Sequence, residues 1–238
     1  MEKEKKDIQH FNILILTPGR NMEAEYVKSL IETIGFLNKS NISYLFLNQY
    51  NSMVTTAREA TIMGSNNLNI YTNKPLNGEV TYDKIMWIDS DISWTIEDFM
   101  KLYSSKDEII SGLYFNESMT PMCSKNGEGV NLADYIKTGE KVEIDGVGFG
   151  FLCVKSGVFE NVKRPWFETK LIPIDEKNPS FVVPLGEDFS WCLKAKDAGY
   201  KILLDTSVLL SHHKKVSVRL SENELQSIRG KNESDTTF

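Results

Sequence analysis

In the first 115 residues, short apolar runs alternate with longer segments of helical period. That alternation confines the chain to an α/β architecture, a mostly parallel sheet covered by helices. Phe11-Asn12-Ile13-Leu14-Ile15-Leu16 is a buried strand broken by Thr17-Pro18-Gly19-Arg20. The pattern then predicts a helix from about Met22 to Leu37, a strand from Ile42 to Leu47 and a second helix from about Met53 to Gly64. Ser65 to Glu79, rich in Asn and Gly, reads as a loop. Lys84-Ile85-Met86-Trp87-Ile88 is the next strand and runs out into Asp89-Ser90-Asp91. Thr95 caps a helix to about Tyr103, with Glu97 and Asp98 in its first turn where the helix dipole favours acids. Glu108 to Phe115 closes this part as a strand.

Beyond it the pattern changes. Thr120 to Glu143 is polar and glycine-dotted, and reads as hairpin-like rather than helical, an insertion or flap on the same domain. Val147 to Val154 is apolar with two glycines, and Lys155 to Asn161 is a short helix. Gly186-Glu187-Asp188 opens an amphipathic helix that ends at Gly199. Lys201 to Leu204 and Ser207 to Leu210 are the last strands, and the polar tail from Ser221 to Phe238 is expected to be partly disordered. With 238 residues and 41% apolar content, the chain can bury one full core. The expectation is a single domain over residues 8–220, divided into a nucleotide-binding part (about 8–115) and an acceptor part (about 116–220), followed by the tail 221–238.

Several function classes fall away. No apolar stretch is long enough for a signal peptide or a membrane span, so a cytoplasmic protein is expected, in the host cytoplasm if it is viral. Cys123, Cys153 and Cys192 are odd in number and lack the spacing of a zinc site or disulfide framework, which leaves reduced, buried thiols. A formal charge of −6 and a pI near 5.3 argue against a surface that grips nucleic acid as a whole. Local basic clusters remain at Lys163-Arg164 and at Lys214, Lys215 and Arg219.

Two carboxylates at i and i+2, where a buried strand runs out, stand at the edge of the sheet that binds ligands in open α/β folds. Such a pair suits a hard divalent cation, Mg²⁺ or Mn²⁺, that shares its shell with phosphate oxygens. Aspartates that merely make a turn would look the same. The glycines at 146, 148 and 150 do not make a dinucleotide fingerprint. Cys153 stands where the third glycine would fall, and no opening βαβ unit surrounds them. They serve either a close backbone approach to a sugar or the packing of a tight hairpin. Trp94, Trp166 and Trp191 read as core residues, with sugar stacking as the alternative.

Trp87-Ile88-Asp89-Ser90-Asp91-Ile92 resembles the Asp-x-Asp segment of GT-A glycosyltransferases. Three further segments agree in order. Gly186 to Leu193, with Ala198-Gly199-Tyr200-Lys201-Ile202, is similar to the family's Glu-Asp helix, and Asp205 to His212 to its closing strand. Gly146-Val147-Gly148-Phe149-Gly150 with Pro165-Trp166-Phe167 looks like the middle of small, often viral, family-2-like members. The resemblance spans most of residues 11–213. It implies a GT-A fold and transfer of a hexosyl or pentosyl group from a nucleotide-sugar to a hydroxyl, on a glycan or on a hydroxylated base of viral DNA.

Carried over by position, Asp91 chelates the metal, Asp89 contacts the metal or the ribose, and His212 is the third protein ligand. An imidazole ligand leans toward Mn²⁺. His212-His213 is otherwise a surface pair, and which of the two would ligate stays open. Asp188 takes the general-base role of inverting members, with Glu187 beside it to orient the acceptor. Mannan-polymerase-type relatives retain configuration instead. A plain helix-terminal pair of acids is the other account of both residues. Thr17, Pro18, Arg20, Arg58 and Ser90 fall where the nucleotide pocket would be. Arg20 and Arg58 there either give planar donors to the diphosphate or stack on the base, or are solvated. Lys214, Lys215 and Arg219 either close over the donor diphosphate or track a phosphodiester backbone.

Three other classes compete. A haloacid-dehalogenase-type phosphatase also carries Asp-x-Asp after an apolar strand, but on its first strand, whereas two strands and two helices precede Asp89. A nucleotidyltransferase would show a basic, glycine-rich loop after strand one, where only Thr17-Pro18-Gly19-Arg20 stands. A non-catalytic nucleotide-sugar-binding module would tolerate any change at Asp188.

Overall fold

The computed structural model describes residues 8–65, 72–125, 128–175 and 178–215. The charged start, the centre of the Ser65 to Glu79 segment, Arg219 and the polar tail lie outside the described residues. The first part runs β1 (Gln9–Pro18), α1 (Ala24–Lys39), β2 (Tyr44–Gln49), α2 (Val54–Met63), a 3₁₀ turn at Pro75–Gly78, β3 (Val80–Ile88), β4 (Ile92–Ser93), α3 (Ile96–Ser104) and β5 (Ile109–Leu113). The second part continues with β6 (Cys123–Lys125), β7 (Glu128–Gly129), α4 (Ala133–Thr138), β8 (Lys141–Ile144), β9 (Gly146–Val147), β10 (Phe151–Lys155) and α5 (Val158–Asn161). It ends with β11 (Lys170–Asp175), β12 (Asn178–Leu185), α6 (Glu187–Asp197), β13 (Ile202–Leu209) and β14 (Ser211–His212).

Seven strands form the central sheet in the order β2-β1-β3-β10-β5-β13-β8. Strands β2, β1, β3, β5 and β13 run in one direction, while β10 and β8 run against their neighbours. The sheet is therefore mostly parallel, and its strands alternate between two cores because successive side chains point to opposite faces. Leu14, Leu16, Ile85, Trp87, Leu152 and Val154 face one layer, which also holds Ile62, Phe159 and Trp191 from α2, α5 and α6. Ile13, Ile15, Met86, Ile88, Phe151 and Cys153 face the other, against Tyr26 and Leu30 of α1 and Phe99 and Leu102 of α3. The result is three layers, with helices on both faces of the sheet. No helix among the described residues is long and apolar enough to cross a membrane.

The local signals act as expected at α3. Thr95 Oγ1 accepts from the Asp98 amide at 3.2 Å, while the Asp98 carboxylate accepts from the Thr95 amide at 3.0 Å, a reciprocal cap. Two readings need correction. The segment from Thr120 to Glu143 is not free of helix. It holds α4, whose first amide (Ala133) is met by Asn131 Oδ1 at 3.2 Å, and six residues are too few for a helical period to be legible. Lys201 to Leu210 is one strand rather than two, because Asp205 Oδ1 accepts from both the amide and the hydroxyl of Ser207 and bulges β13 without ending it. All three cysteines are buried and free, and Trp94, Trp166 and Trp191 are core residues.

Candidate functional site

The parallel strands β1 and β3 end side by side, so Pro18-Gly19 and Asp89-Ser90-Asp91 emerge on the same edge of the sheet. A cleft of about 530 Å³ opens there, lined among others by Pro18, Gly19, Tyr50, Arg58, Asp89, Ser90, Asp91 and Lys214. The two loops are in close contact. A Cβ on Gly19 would stand 2.9 Å from Ser90 Oγ, and Gly19 has φ +139°, so only glycine fits this crossing without strain. The Glu23 amide donates to Ser90 O at 2.9 Å and ties the start of α1 to the same loop. Thr17 lies one residue too deep: its side chain is fully buried, its Oγ1 2.5 Å from Tyr26 Oη. Arg20 is exposed, its guanidinium 5.8 Å from the ring of Tyr50 on the cleft wall.

Arg58 projects from α2 into the protein and is only 4% exposed. Its Nε donates to Glu187 Oε1 at 2.8 Å and its Nη2 to Asp89 Oδ2 at 3.3 Å, while Nη1 makes an ion pair with Asp89 Oδ1 at 3.1 Å. The guanidinium also lies 5.7 Å from the Trp87 ring and 5.3 Å from the Phe149 ring. Burial by itself would favour the neutral form, but Asp89 and Glu187 outweigh it and keep Arg58 charged. This guanidinium joins the end of β3 to the start of α6, two segments 98 residues apart in the chain, with Nε and Nη2 hydrogen-bonded to protein carboxylates and Nη1 held by charge alone.

A second ionic group sits at Asp91. Strand β14 pairs with β4, His212 opposite Ile92, and so carries the end of the chain's last strand back to the loop after β3. His212 Nδ1 lies 2.7 Å from Phe115 O. A carbonyl can only accept, so Nδ1 carries the proton and a neutral His212 presents the lone pair of Nε2. That nitrogen faces Asp91 Oδ2 at 3.2 Å, two acceptors aimed at one point, an arrangement that calls for a positive charge between or upon them. Lys214 Nζ lies 2.8 Å from the same oxygen. Burial would raise the Asp91 carboxyl, but His212 and Lys214 hold it down at about 2. Burial would lower His212, but Asp91 and the Phe115 carbonyl raise it above its ordinary value. His213 lines the cleft but does not face the Asp91 carboxylate: its amide donates to Asp91 O at 2.8 Å and its Nε2 is 2.7 Å from Ser93 Oγ.

Among the described residues, no group of three or more His, Cys, Asp or Glu side chains is gathered as a complete metal shell. The pair Asp91–His212 nonetheless fits a divalent cation. It offers one carboxylate oxygen and one imidazole lone pair, with the other ring nitrogen fixed by a backbone carbonyl, the support that metal-bound histidines have. Asp89 stands apart from this pair in that both its oxygens are on Arg58.

The acids Glu187 and Asp188 open α6. Glu187 is turned inward to Arg58, and Asp188 Oδ1 accepts from the Phe189 amide at 2.8 Å. Burial, reinforced by the charge of Glu187 and opposed by Arg58, pushes the Asp188 carboxyl up to about 6. The glycines before it have a steric function. A Cβ at Gly146 would lie 2.5 Å from the Phe189 ring, one at Gly148 2.2 Å from Tyr114 Oη, and one at Gly150 2.6 Å from Tyr114 Cζ. Tyr114 thus fills the groove that two glycines leave open. Its Oη accepts from the Gly150 amide at 2.9 Å, and its ring meets the His212 ring edge to face with centroids 5.3 Å apart. The sequence reading passed over Tyr114. The signal for it was the alternate-residue glycines, which imply a bulky partner across the strand.

No protein-family model matches the chain, and no curated protein matches it in sequence. Solved structures do. A197 from STIV is 16% identical with a TM-score of 0.51, over 89% of this chain and 98% of that one. GalNAc-T7, solved with UDP, GalNAc and Mn²⁺, is 10% identical with a TM-score of 0.52, over 92% of this chain and 48% of that one. The chain therefore spans about half the length of GalNAc-T7. At these identities the likeness concerns the fold, and the fold is GT-A.

Proposed function

We propose that the chain is a divalent-metal-dependent glycosyltransferase, moving a sugar from a nucleoside-diphosphate sugar to a hydroxyl acceptor. The observation that carries the reading is the Asp91–His212 pair, two acceptor atoms 3.2 Å apart, of which Asp91 lines a cleft on the ligand-binding edge of a GT-A sheet and His212 stands behind it. Asp91 and His212 would hold Mn²⁺ or Mg²⁺, with Mn²⁺ favoured by the imidazole. A divalent cation bound there would neutralise charge growing on the departing diphosphate. That GalNAc-T7, a structure of the same fold, holds UDP and Mn²⁺ supports the reading.

The chain's own residues divide the remaining work. Pro18, Gly19 and Ser90 form the wall against which the nucleoside rests, with Arg20 and Tyr50 at its rim. Asp89, fixed by Arg58, accepts from the donor's ribose. Asp188 takes the proton of the acceptor hydroxyl while that oxygen forms its bond to the anomeric carbon, and the bond from that carbon to the diphosphate oxygen breaks. A carboxyl raised to about 6 is matched to this task, because it is ionised at neutral pH and a better base than an ordinary carboxylate. Glu187 serves the site through Arg58. Against a phosphatase with Asp89 as nucleophile stands the Arg58 clamp on both Asp89 oxygens, and the place of the motif on β3 rather than on the first strand.

The test is a thermal-shift screen of nucleotide-sugars with and without Mn²⁺, on wild type and Asp91→Ala. One donor is expected to raise the melting temperature of the wild type only when Mn²⁺ is present, and to lose that effect in the variant. If no donor stabilises the wild type in Mn²⁺, or if Asp91→Ala responds as wild type does, the reading fails.

A further inference from the structure

The cleft that would take the donor's diphosphate carries three acids on its walls, Glu23, Asp89 and Asp91. Arg58 is buried and engaged by Asp89 and Glu187. Two lysines remain among the cleft's described residues. Lys215 is largely solvated, 3.9 Å from Glu23. Lys214 is 38% exposed, and its ammonium sits 2.8 Å from Asp91 Oδ2, the same oxygen that His212 Nε2 faces. Lys214 therefore lies on the carboxylate that the metal would need.

We propose that Lys214 is a donor-binding residue that the metal sets free: without metal its ammonium neutralises Asp91, and with metal on Asp91 it moves over to the donor's diphosphate. This rests on the glycosyltransferase reading above. The physical reason is charge bookkeeping at one oxygen. An ammonium and a divalent cation on the same carboxylate oxygen repel each other, so metal binding displaces Lys214. The lysine has a flexible four-carbon stem and already lines the cleft, where Asp89 is held by Arg58 and Glu23 faces Lys215 at 3.9 Å, so a bound diphosphate would offer the displaced ammonium a strong anionic partner. Lys214 thus opposes metal binding in the empty protein and favours nucleotide binding in the metal-loaded one. Metal and donor are coupled through one side chain.

The two halves have opposite signs, which makes the test discriminating. Mn²⁺ binding is measured by calorimetry on wild type, Lys214→Gln and the control Lys215→Gln, and binding of UDP, GDP, CDP, ADP and dTDP is then measured at saturating Mn²⁺. Lys214→Gln is expected to bind Mn²⁺ alone about three- to tenfold more tightly, and the nucleoside diphosphate of choice roughly tenfold more weakly, the size of one charge-assisted contact. Lys215→Gln is expected to leave Mn²⁺ affinity unchanged. Unchanged or weaker Mn²⁺ binding by Lys214→Gln would overturn the displacement, and unchanged nucleotide binding would overturn the contact to the diphosphate. Failure of the wild type to bind Mn²⁺, or any of the five nucleotides in its presence, would instead remove the glycosyltransferase reading and this inference with it.

Discussion

Arg58 Nε donates to Glu187 Oε1 at 2.8 Å, and the same guanidinium grips Asp89, so one buried cation fixes the positions of both acidic motifs. Removing it leaves two carboxylates partly buried without their partner. Arg58→Met is expected to cost about 3–5 kcal/mol of stability in denaturant unfolding, the range seen when one member of a buried pair is lost. Arg58→Lys keeps the charge but not the planar fork, and should fall between. Glu187→Gln should cost less, because Asp89 still neutralises the guanidinium. A double-mutant cycle on 58 and 187 is expected to give a coupling of about 1 kcal/mol or more, and additivity would show that the contact carries no energy.

The raised carboxyl of Asp188 makes a prediction about pH and another about stability. As the base, it must be ionised, so kcat/KM should fall on acidification through about pH 6 and level off above it. For folding the sign runs the other way. A carboxyl whose folded pKa lies above its unfolded value favours the folded state at low pH, and that contribution is lost as pH rises through about 6. Asp188→Asn should therefore be inactive and yet more stable than wild type at pH 8, by about 1–2 kcal/mol after allowance for the partial exposure of the side chain. Equal stability of the two proteins at pH 8, with equal activity at pH 5 and pH 8 in the wild type, would refute the assignment.

The fold was legible because strand periodicity and the helix signals of the first 115 residues agree with each other, down to the reciprocal cap of Thr95 and Asp98. The sequence was silent where the chain leaves that alternation. Strand β10 inserts between β3 and β5 against their direction, which no local pattern encodes because pairing is set by distant partners. The hairpin of β11 and β12 was also missed. Its Leu171 and Phe181 are 63% and 64% exposed, so burial gave it no alternating polar face to read. In the site, the acids were visible as motifs, but their relation to Arg58 was not, since an arginine in a helix looks the same whether it is solvated or holds two carboxylates.

The paired glycines predict a specific pattern of rescue. Gly148→Ala drives a methyl to 2.2 Å from Tyr114 Oη, and Gly150→Ala drives one to 2.6 Å from Tyr114 Cζ. Each should cost about 1–3 kcal/mol, the usual range for overpacking. Tyr114→Phe deletes the hydroxyl, which is the one severe contact of the first methyl, whereas the second meets the hydroxyl at 2.7 Å and also the ring carbons Cζ at 2.6 Å and Cε1 at 3.0 Å. Combined with Tyr114→Phe, Gly148→Ala should regain more of its loss than Gly150→Ala, whose ring contacts remain. Chemical denaturation of the two double variants reads the difference directly.

The family resemblance puts His212 in the metal site and leaves His213 open as the alternative, and their partners separate them. His212 Nε2 faces Asp91 while its Nδ1 proton is held by Phe115 O, whereas His213 Nε2 is engaged with Ser93 Oγ. His212→Ala should weaken Mn²⁺ binding at least tenfold, within the range of losing a ligand or its support, and His213→Ala should weaken it much less. The pH dependence follows from the same atoms. Only the neutral ring offers Nε2 as a donor, and Asp91 with the Phe115 carbonyl raises the His212 pKa, so Mn²⁺ affinity should decline as pH falls, beginning above the 6.5 of an ordinary histidine. In His212→Ala that slope should vanish, since Asp91 loses the histidine but keeps Lys214 to hold its carboxyl down and stays ionised across that range. A slope that persisted in His212→Ala and disappeared in His213→Ala would assign the ligand to the neighbouring ring instead.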